Sequence, residues 1–494
     1  MAQDAGSPAR ELGRCSCSEE PKSRLRRSQS AHSSDEAPQR AWSEGAQEEE
    51  FVTDASQASQ PTTVPDGATR VGAVRARWAW TAPEVWTERM LTALEQGVRG
   101  GRWYTLMDKV YALPTLRAAF ARVKANRGAA GVDHVTVAMY EARLEANLTA
   151  VSHSLRDGTY RPQAIRRHWI PKGPRERRPL GIPTVRDRVV QTALRLVLEP
   201  IFDVTFAPHS YGFRPRRGAK DALRWVDGLL RAGYRYIVDA DLQAYFDTIP
   251  HAPLRARVAS KVTDSRVLAL VDAFLHQSIF EGLAQWTTDE GTPQGAVISP
   301  LLANLYLDPL DHAMAAAGFE MVRYADDFVV LCRTAEEAAQ ALSIVQRWTE
   351  AAGLQLHPEK THLVDLQHPG GFDFLGYHFE RRYRLPRKKS LRKLKDAVRQ
   401  KTRRTNGNSL AVIIADVNRT LVGWFGYFKH SHGSFKDLDA WIRVRLRSIL
   451  RKRVGSRRRG RTADHLRWPV RFFMAQGLFS LQRAHAALRQ SRCG

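Results

Sequence analysis

Two apolar, strand-like runs in this chain end in bare carboxylates, and no other feature restricts the fold as much. One run is Ile237-Val238-Asp239-Ala240-Asp241-Leu242, and the other surrounds Tyr324-Ala325-Asp326-Asp327-Phe328. An ionised Asp beside a buried strand is costly unless it is paired or binds a cation. Taken alone, Asp326-Asp327 reads as a hairpin turn and Asp241 as a strand-end cap. Taken together, three carboxylates converging from neighbouring strands can hold two Mg²⁺ ions roughly 3.5–4 Å apart, the arrangement for in-line phosphoryl displacement. Mg²⁺ retains waters and phosphate oxygens as its other ligands, so a protein need supply only a few carboxylates.

The charge distribution favours the second reading. The 494 residues carry a net charge of +25, from 76 Lys plus Arg against 51 Asp plus Glu. Segments 1–70, 71–380 and 381–494 carry −4, +3 and +26, so nearly all the surplus lies in the last quarter. This disfavours an ordinary small-molecule enzyme and points to a nucleic-acid-binding end attached to a balanced catalytic body. Four cysteines (Cys15, Cys17, Cys332 and Cys493) cannot form a disulfide framework in so long a chain, which suits a reducing cytosol. Cys15 and Cys17 have no His or Cys partner nearby for a zinc site. No run of about 18 apolar residues exists, so no membrane partner is expected.

Residues 1–75 are rich in Ser, Glu, Gln, Ala and Pro without apolar periodicity, which predicts a disordered extension. Order is expected from near Trp86. Helical spacing marks Trp86–Val98, Leu113–Lys124, Val185–Phe202 and Leu301–Ala317. Tyr160–Gly181 reads as a β-hairpin turning at 171–174, and Tyr234–Asp241 as a buried strand. Glu320–Cys332 reads as a hairpin centred on Tyr-Ala-Asp-Asp. From Leu391 onward only helical patterns remain. Strands and helices are mixed rather than alternating, which predicts an α+β fold.

The chain resembles a known family in an ordered series of motifs. Ile170-Pro171-Lys172 leads to Arg178-Pro179-Leu180-Gly181-Ile182-Pro183-Thr184, then His209-Ser210-Tyr211-Gly212-Phe213 and Tyr245-Phe246-Asp247. Gly291-Thr292-Pro293-Gln294-Gly295 precedes Ser299-Pro300-Leu301-Leu302-Ala303-Asn304; His357-Pro358-Glu359-Lys360-Thr361 and Phe374-Leu375-Gly376-Tyr377 follow the Asp pair. This series is similar to that of the bacterial group II intron-encoded reverse transcriptase/maturases. It covers roughly 84–485, and Cys493, standing alone near the end, suggests the type that lacks an HNH endonuclease.

The resemblance implies a right-hand polymerase: fingers, a palm with an antiparallel sheet, then a helical thumb/maturase domain and a basic tail. The implied boundaries are 76–235 for an N-terminal motif and fingers, 236–380 for the palm, 381–450 for thumb and maturase, and 451–494 for the tail. The reverse transcriptase part as a whole would occupy about 150–380. Asp241, Asp326 and Asp327 would be the catalytic ligands of two Mg²⁺. Lys172 and Arg178 would grip the triphosphate, Arg through its planar fork; the alternative is two solvated hairpin charges. Phe246 would lie under the sugar and exclude a 2′-hydroxyl, or else pack in the core. Gln294 and Gly295 would let the backbone approach the nascent base pair, while Asp239 and Asp247 are assigned structural roles. Asn418, Leu421, Gly423, Trp424, Tyr427 and Phe428 look like the maturase motif, or else thumb-core packing. Arg451, Lys452, Arg453, Arg457, Arg458 and Arg459 would contact nucleic-acid phosphates. The implied partners are group II intron RNA, a DNA target and primer, and dNTPs, in a bacterial cytoplasm near the nucleoid. Rival expectations are a maturase-only splicing cofactor and a domesticated or defence reverse transcriptase.

Overall fold

The computed structural model describes residues 74–171, 177–381, 383–455 and 462–491. The extension through residue 73, and Lys172, Arg457, Arg458 and Arg459, lie outside the described residues. Packing begins earlier than Trp86. Val74 is buried, and Arg75 Nη1 donates to the Trp86 carbonyl at 2.9 Å, so residues 74 and 75 belong to the folded body.

A helical turn at 74–77 leads into α1 (Glu88–Gln96), α2 (Met107–Tyr111), α3 (Leu113–Ala125), α4 (Val137–Glu141) and α5 (Leu144–Arg156). Strands β1 (Ile165–Pro171) and β2 (Arg177–Ile182) form the expected hairpin, antiparallel from Arg166↔Ile182 to Pro171↔Arg177. Helix α6 (Val185–Asp203) follows. Its apolar residues Val189, Val190, Ala193, Leu194, Val197, Leu198 and Ile201 share one broad face, and Asp187, Arg188, Gln191, Thr192 and Glu199 are buried as well, so the helix lies in the interior. Thr184 caps it by accepting from Asp187 N at 3.1 Å. Asp187, also buried, accepts from Tyr160 Oη at 2.6 Å and so ties the helix to the approach of the hairpin.

The chain then runs through α7 (Ala219–Arg231), β3 (Tyr236–Asp241), α8 (Tyr245–Thr248), α9 (His251–Ala259), α10 (Ser265–Leu275), β4 (Ile279–Glu281), β5 (Ala284–Trp286) and α11 (Ser299–Ala316). Next come β6 (Glu320–Tyr324), β7 (Asp327–Cys332), α12 (Ala335–Ala351), β8 (His362–Asp365), β9 (Phe372–Phe374), β10 (Tyr377–Glu380) and β11 (Tyr383–Pro386). The described remainder is helical, as expected: α13 (Lys388–Lys401), α14 (Leu410–Phe428), α15 (Lys436–Arg453), α16 (Thr462–Arg467), α17 (Val470–Ala475) and α18 (Leu481–Gln490).

The central sheet has the order β6-β7-β3-β8, antiparallel throughout. Successive side chains of a strand face opposite ways, and this sheet divides them between two cores. Val238, Ala240, Phe328 and Val330 join the large core shared with α6, α11 and α12. Ile237, Val329 and Leu331 join a second core with α7, β9 and β10. Asp239, Asp241 and Asp327 have the parity of this second set, so the carboxylates leave the sheet on one face. A third core binds α13–α15 to α16–α18.

Candidate catalytic site

Register brings the expected carboxylates together. Asp241 closes β3, Asp327 opens β7, and the two are paired residues across the strands. Asp326 precedes Asp327 in the two-residue connection from β6, because Tyr324 already pairs with Asp327. Burial raises Asp327, and its neighbours Asp326 and Asp241 raise it further, to about 7. Asp239 is likewise pushed up to about 7, by burial first and then by Asp327, Asp373 and Asp241. Asp326 is raised by burial and by Asp241. Asp239 therefore belongs electrostatically to the cluster, beyond its assigned structural role.

Such a group of acids demands positive charge. Lys360 supplies part of it, its Nζ lying 2.6 Å from Asp241 Oδ2. That ammonium is a stand-in cation on an exposed, movable side chain. The donor set is entirely carboxylate oxygen, which suits a hard divalent ion that keeps waters and phosphate oxygens. Among the described residues no three His, Cys, Asp or Glu side chains close into a metal cage. Asp241, Asp326 and Asp327 are the oxygen donors whose chemistry suits such an ion.

A hydrogen-bonded relay joins the β1–β2 hairpin to this region. Arg178 Nε donates to Gln294 Oε1 at 2.6 Å, and Gln294 Nε2 donates to Asp247 Oδ2 at 2.9 Å. Asp247, raised chiefly by burial, is thus the end of a chain that reaches Arg178. Phe246 is 8% exposed, and its ring meets Phe213 edge-on at 6.4 Å. Phe213 is 44% exposed at φ +57°, so an open aromatic ring lies against the buried one. Gly295 lies at φ +107°, where a Cβ would overlap the Gly181 carbonyl oxygen. The close approach that Gly295 permits here is to β2.

The basic residues behave differently from one another. Both Nε and Nη2 of Arg451 donate to Asp464, so this side chain is spent inside the fold. Arg453 is exposed but donates to the Asn408 carbonyl. Lys452 is exposed. Residues of the maturase-like motif serve packing. Asn418 donates to Gly477 O at 2.7 Å and accepts from Phe479 N at 2.8 Å, while Leu421 is fully buried.

Sequence reasoning gave no role to Arg323 or Asp311 and quoted Lys360 and Asn304 only within motifs. For Arg323 a signal existed: a cation inside the apolar run Met321-Val322-Arg323-Tyr324 has to be paired.

Comparison with known proteins agrees with this geometry. The family described as reverse transcriptase (RNA-dependent DNA polymerase) matches residues 170–379, and the group II intron, maturase-specific domain matches residues 391–468. Protein YkfC of Escherichia coli (strain K12) is 31% identical over 349 residues, covering 62% of this chain and 87% of YkfC. The group II intron-encoded protein LtrA of Lactococcus lactis subsp. cremoris is 40% identical over 168 residues, covering 34% of this chain and 28% of LtrA. The chain belongs to the group II intron-encoded reverse transcriptase/maturases. An uncharacterized 91 kDa protein in the cob intron of Schizosaccharomyces pombe is 40% identical over 146 residues, covering 30% of this chain and 18% of that protein. Alignment with the two intron-encoded relatives therefore spans under a third of their lengths.

The reverse transcriptase has the α+β right-hand polymerase fold followed by a helical domain. It carries a reverse transcriptase (RNA-dependent DNA polymerase) domain and a group II intron maturase-specific domain, which imply RNA and nucleic-acid substrates and, for the family in general, a divalent metal. Asp241, Asp326, Asp327, Arg178, Phe246 and Gln294 all fall within the matched reverse transcriptase stretch. No described helix is long and apolar enough to cross a membrane.

Proposed function

We propose that this reverse transcriptase copies RNA into DNA from a primer 3′-hydroxyl, and that it assists splicing of a group II intron RNA and target-primed insertion. Asp241, Asp326 and Asp327 would hold two Mg²⁺ ions. Bound there, the ions lower the pKa of the primer hydroxyl and stabilise charge on the transferring phosphate. The observation that carries this reading is the paired register of Asp241 and Asp327 on one face of the sheet, with Asp326 next to them in the connecting turn.

The chain's own residues would do the rest. Arg178 is held by Gln294. The triphosphate would take the guanidinium from that amide, with Lys172 as the second cation. Lys360 would release Asp241 as metal enters. Phe246 would set the floor of the sugar site, braced by Phe213. Residues 76–235 would serve as N-terminal motif and fingers, 236–380 as palm, 381–450 as thumb and maturase, and 451–494 as a phosphate-binding tail. Of that tail, Lys452 and Arg453 remain available for nucleic acid, whereas Arg451 is better assigned to stability. dNTPs, a DNA target and primer, and the intron RNA are the proposed partners, and the bacterial cytoplasm near the nucleoid is the proposed place of action. A maturase-only protein has less support, because all three carboxylates are present.

The test is nucleotide discrimination. Phe246→Ala should admit ribonucleotides, improving rNTP use relative to dNTP by roughly 10–200-fold, the range a lost side-chain contact spans. Matched dNTP and rNTP kinetics on an RNA template measure it. Unchanged discrimination would make Phe246 a core residue only.

A further inference from the structure

Arg323 is fully buried in β6, in a position where an apolar residue would pack. A guanidinium taken out of water has to engage its donors, and this one reaches three partners. Nε donates to Asp311 Oδ1 at 2.8 Å and Oδ2 at 3.0 Å, and Nη2 to Oδ2 at 2.5 Å. Nη1 donates to Asn304 Oδ1 and to the Ala325 carbonyl, each at 3.0 Å. Asn304 and Asp311 lie two turns apart on one face of α11. Asn304 Nδ2 donates in turn to Gly212 O at 2.7 Å. A Cβ on Gly212 would overlap Ala325 N, so the 209–212 segment lies directly on the turn. The backbone of Arg323 also accepts from Tyr211 N at 2.8 Å and donates to His209 O at 3.0 Å.

These contacts converge on one peptide. Ala325 has φ +62°, a left-handed conformation that L residues other than Gly resist. It immediately precedes Asp326 and Asp327. A buried ion pair is often replaceable by apolar residues without loss of stability, so stability alone does not account for Arg323.

We propose that Arg323 is a positioning residue for DNA synthesis: with Asn304 and Asp311 it holds Ala325 in the left-handed conformation and thereby sets the direction in which Asp326 and Asp327 leave the turn. The inference rests on the assignment of those two carboxylates as catalytic. Arg323 touches no substrate itself.

The experiment compares Arg323→Met/Asp311→Leu with wild type in primer extension, alongside the melting temperature of each. Removing both charges should leave the protein folded, with the KM for dNTP within threefold of wild type and kcat lowered at least 30-fold. Adding Ala325→Gly makes the left-handed turn cheap. It should restore about fivefold in kcat, or about 1 kcal/mol at 1.4 kcal/mol per decade. Wild-type kcat in the folded double variant, or no recovery with Ala325→Gly, overturns the proposal. If the double variant does not fold, Asn304→Ala decides, since it keeps the Arg323–Asp311 pair and removes the Asn304 acceptor of Arg323 together with the brace to Gly212. It should lose about tenfold in kcat with the same glycine rescue, and unchanged kcat overturns the proposal. Asp327→Ala in the wild-type background separates the two assumptions: activity there would refute the carboxylate assignment, whatever Arg323 does.

Discussion

The central sheet and the helices that follow it treat charge in opposite ways. In the sheet, Asp239, Asp326 and Asp327 are held close to one another and to Asp241, with burial and mutual repulsion raising the first three. Among the described residues, Lys360 is the side chain that forms an ion pair with the cluster, and it does so at Asp241. In the C-terminal helices most of the described acids have partners of their own. Asp396 pairs with Arg399, Asp416 with Lys401 and Arg419, and Asp464 with Arg451, while Asp439 accepts from Ser480, Leu481 N and Gln482 N. The large cationic surplus of 381–494 remains. The carboxylate cluster is short of cations and the C-terminal segment is short of anions. A nucleic acid with its divalent ions supplies both, which is why one substrate can satisfy two regions of opposite sign.

The largest expected effect comes from breaking the acidic region. Asp241→Ala should lower primer extension by about three orders of magnitude or more, since the metal term is worth several kcal/mol and about 1.4 kcal/mol is a factor of ten. A loss below tenfold would place the metal site elsewhere.

The next effect sharpens the basic side by dividing its cations into free and spent. Arg392, Lys393 and Lys452 are exposed, and changing them to Gln should lower the slope of log K against log salt by about 0.7–0.9 per lost phosphate contact. Arg451→Gln should leave that slope unchanged and instead destabilise the fold by about 1–3 kcal/mol, because Asp464 loses its partner. Salt-dependent binding isotherms and denaturant titrations of both variants check the division. A flattened slope for Arg451→Gln would contradict it.

The smallest effect is a pH dependence of stability. Asp239 and Asp327 titrate near 7 in the folded chain, against about 3.9 when unfolded. Between those values the folded state holds more protons, so ionisation costs stability as pH rises. The metal-free protein should melt at progressively lower temperature from pH 5 to 7 and level off above that. The decline should shrink in Asp327→Asn and on adding Mg²⁺. A melting temperature that rises over this window would contradict the crowding of the carboxylates.

Much of this was legible before the structure, and what escaped did so for physical reasons. The strands ending at Asp241 and bracketing Asp326-Asp327 are short apolar runs bounded by charge, a pattern that survives in one dimension. The Val185–Asp203 helix could be read because its apolar residues recur at helical spacing. Lys360 could not be seen as a partner of Asp241, because the ion pair spans 119 positions and leaves no periodic trace. Strands β4 and β5, three residues each, are too short to show alternation. Arg451 looked like its neighbours in a basic run until the fold brought Asp464 against it. Local pattern predicts which residues share a face; pairing across the chain decides which charges remain free.

The central claim is that the two regions do separate jobs: the carboxylates make DNA, and the basic and helical surfaces hold RNA. The direct test is a pair of assays on one preparation of Asp326→Ala/Asp327→Ala. Primer extension with dNTPs should fall by several orders of magnitude, while excision of the intron at modest Mg²⁺ should persist, helped if anything by the loss of two negative charges. Disappearance of both activities from a folded protein would contradict the separation.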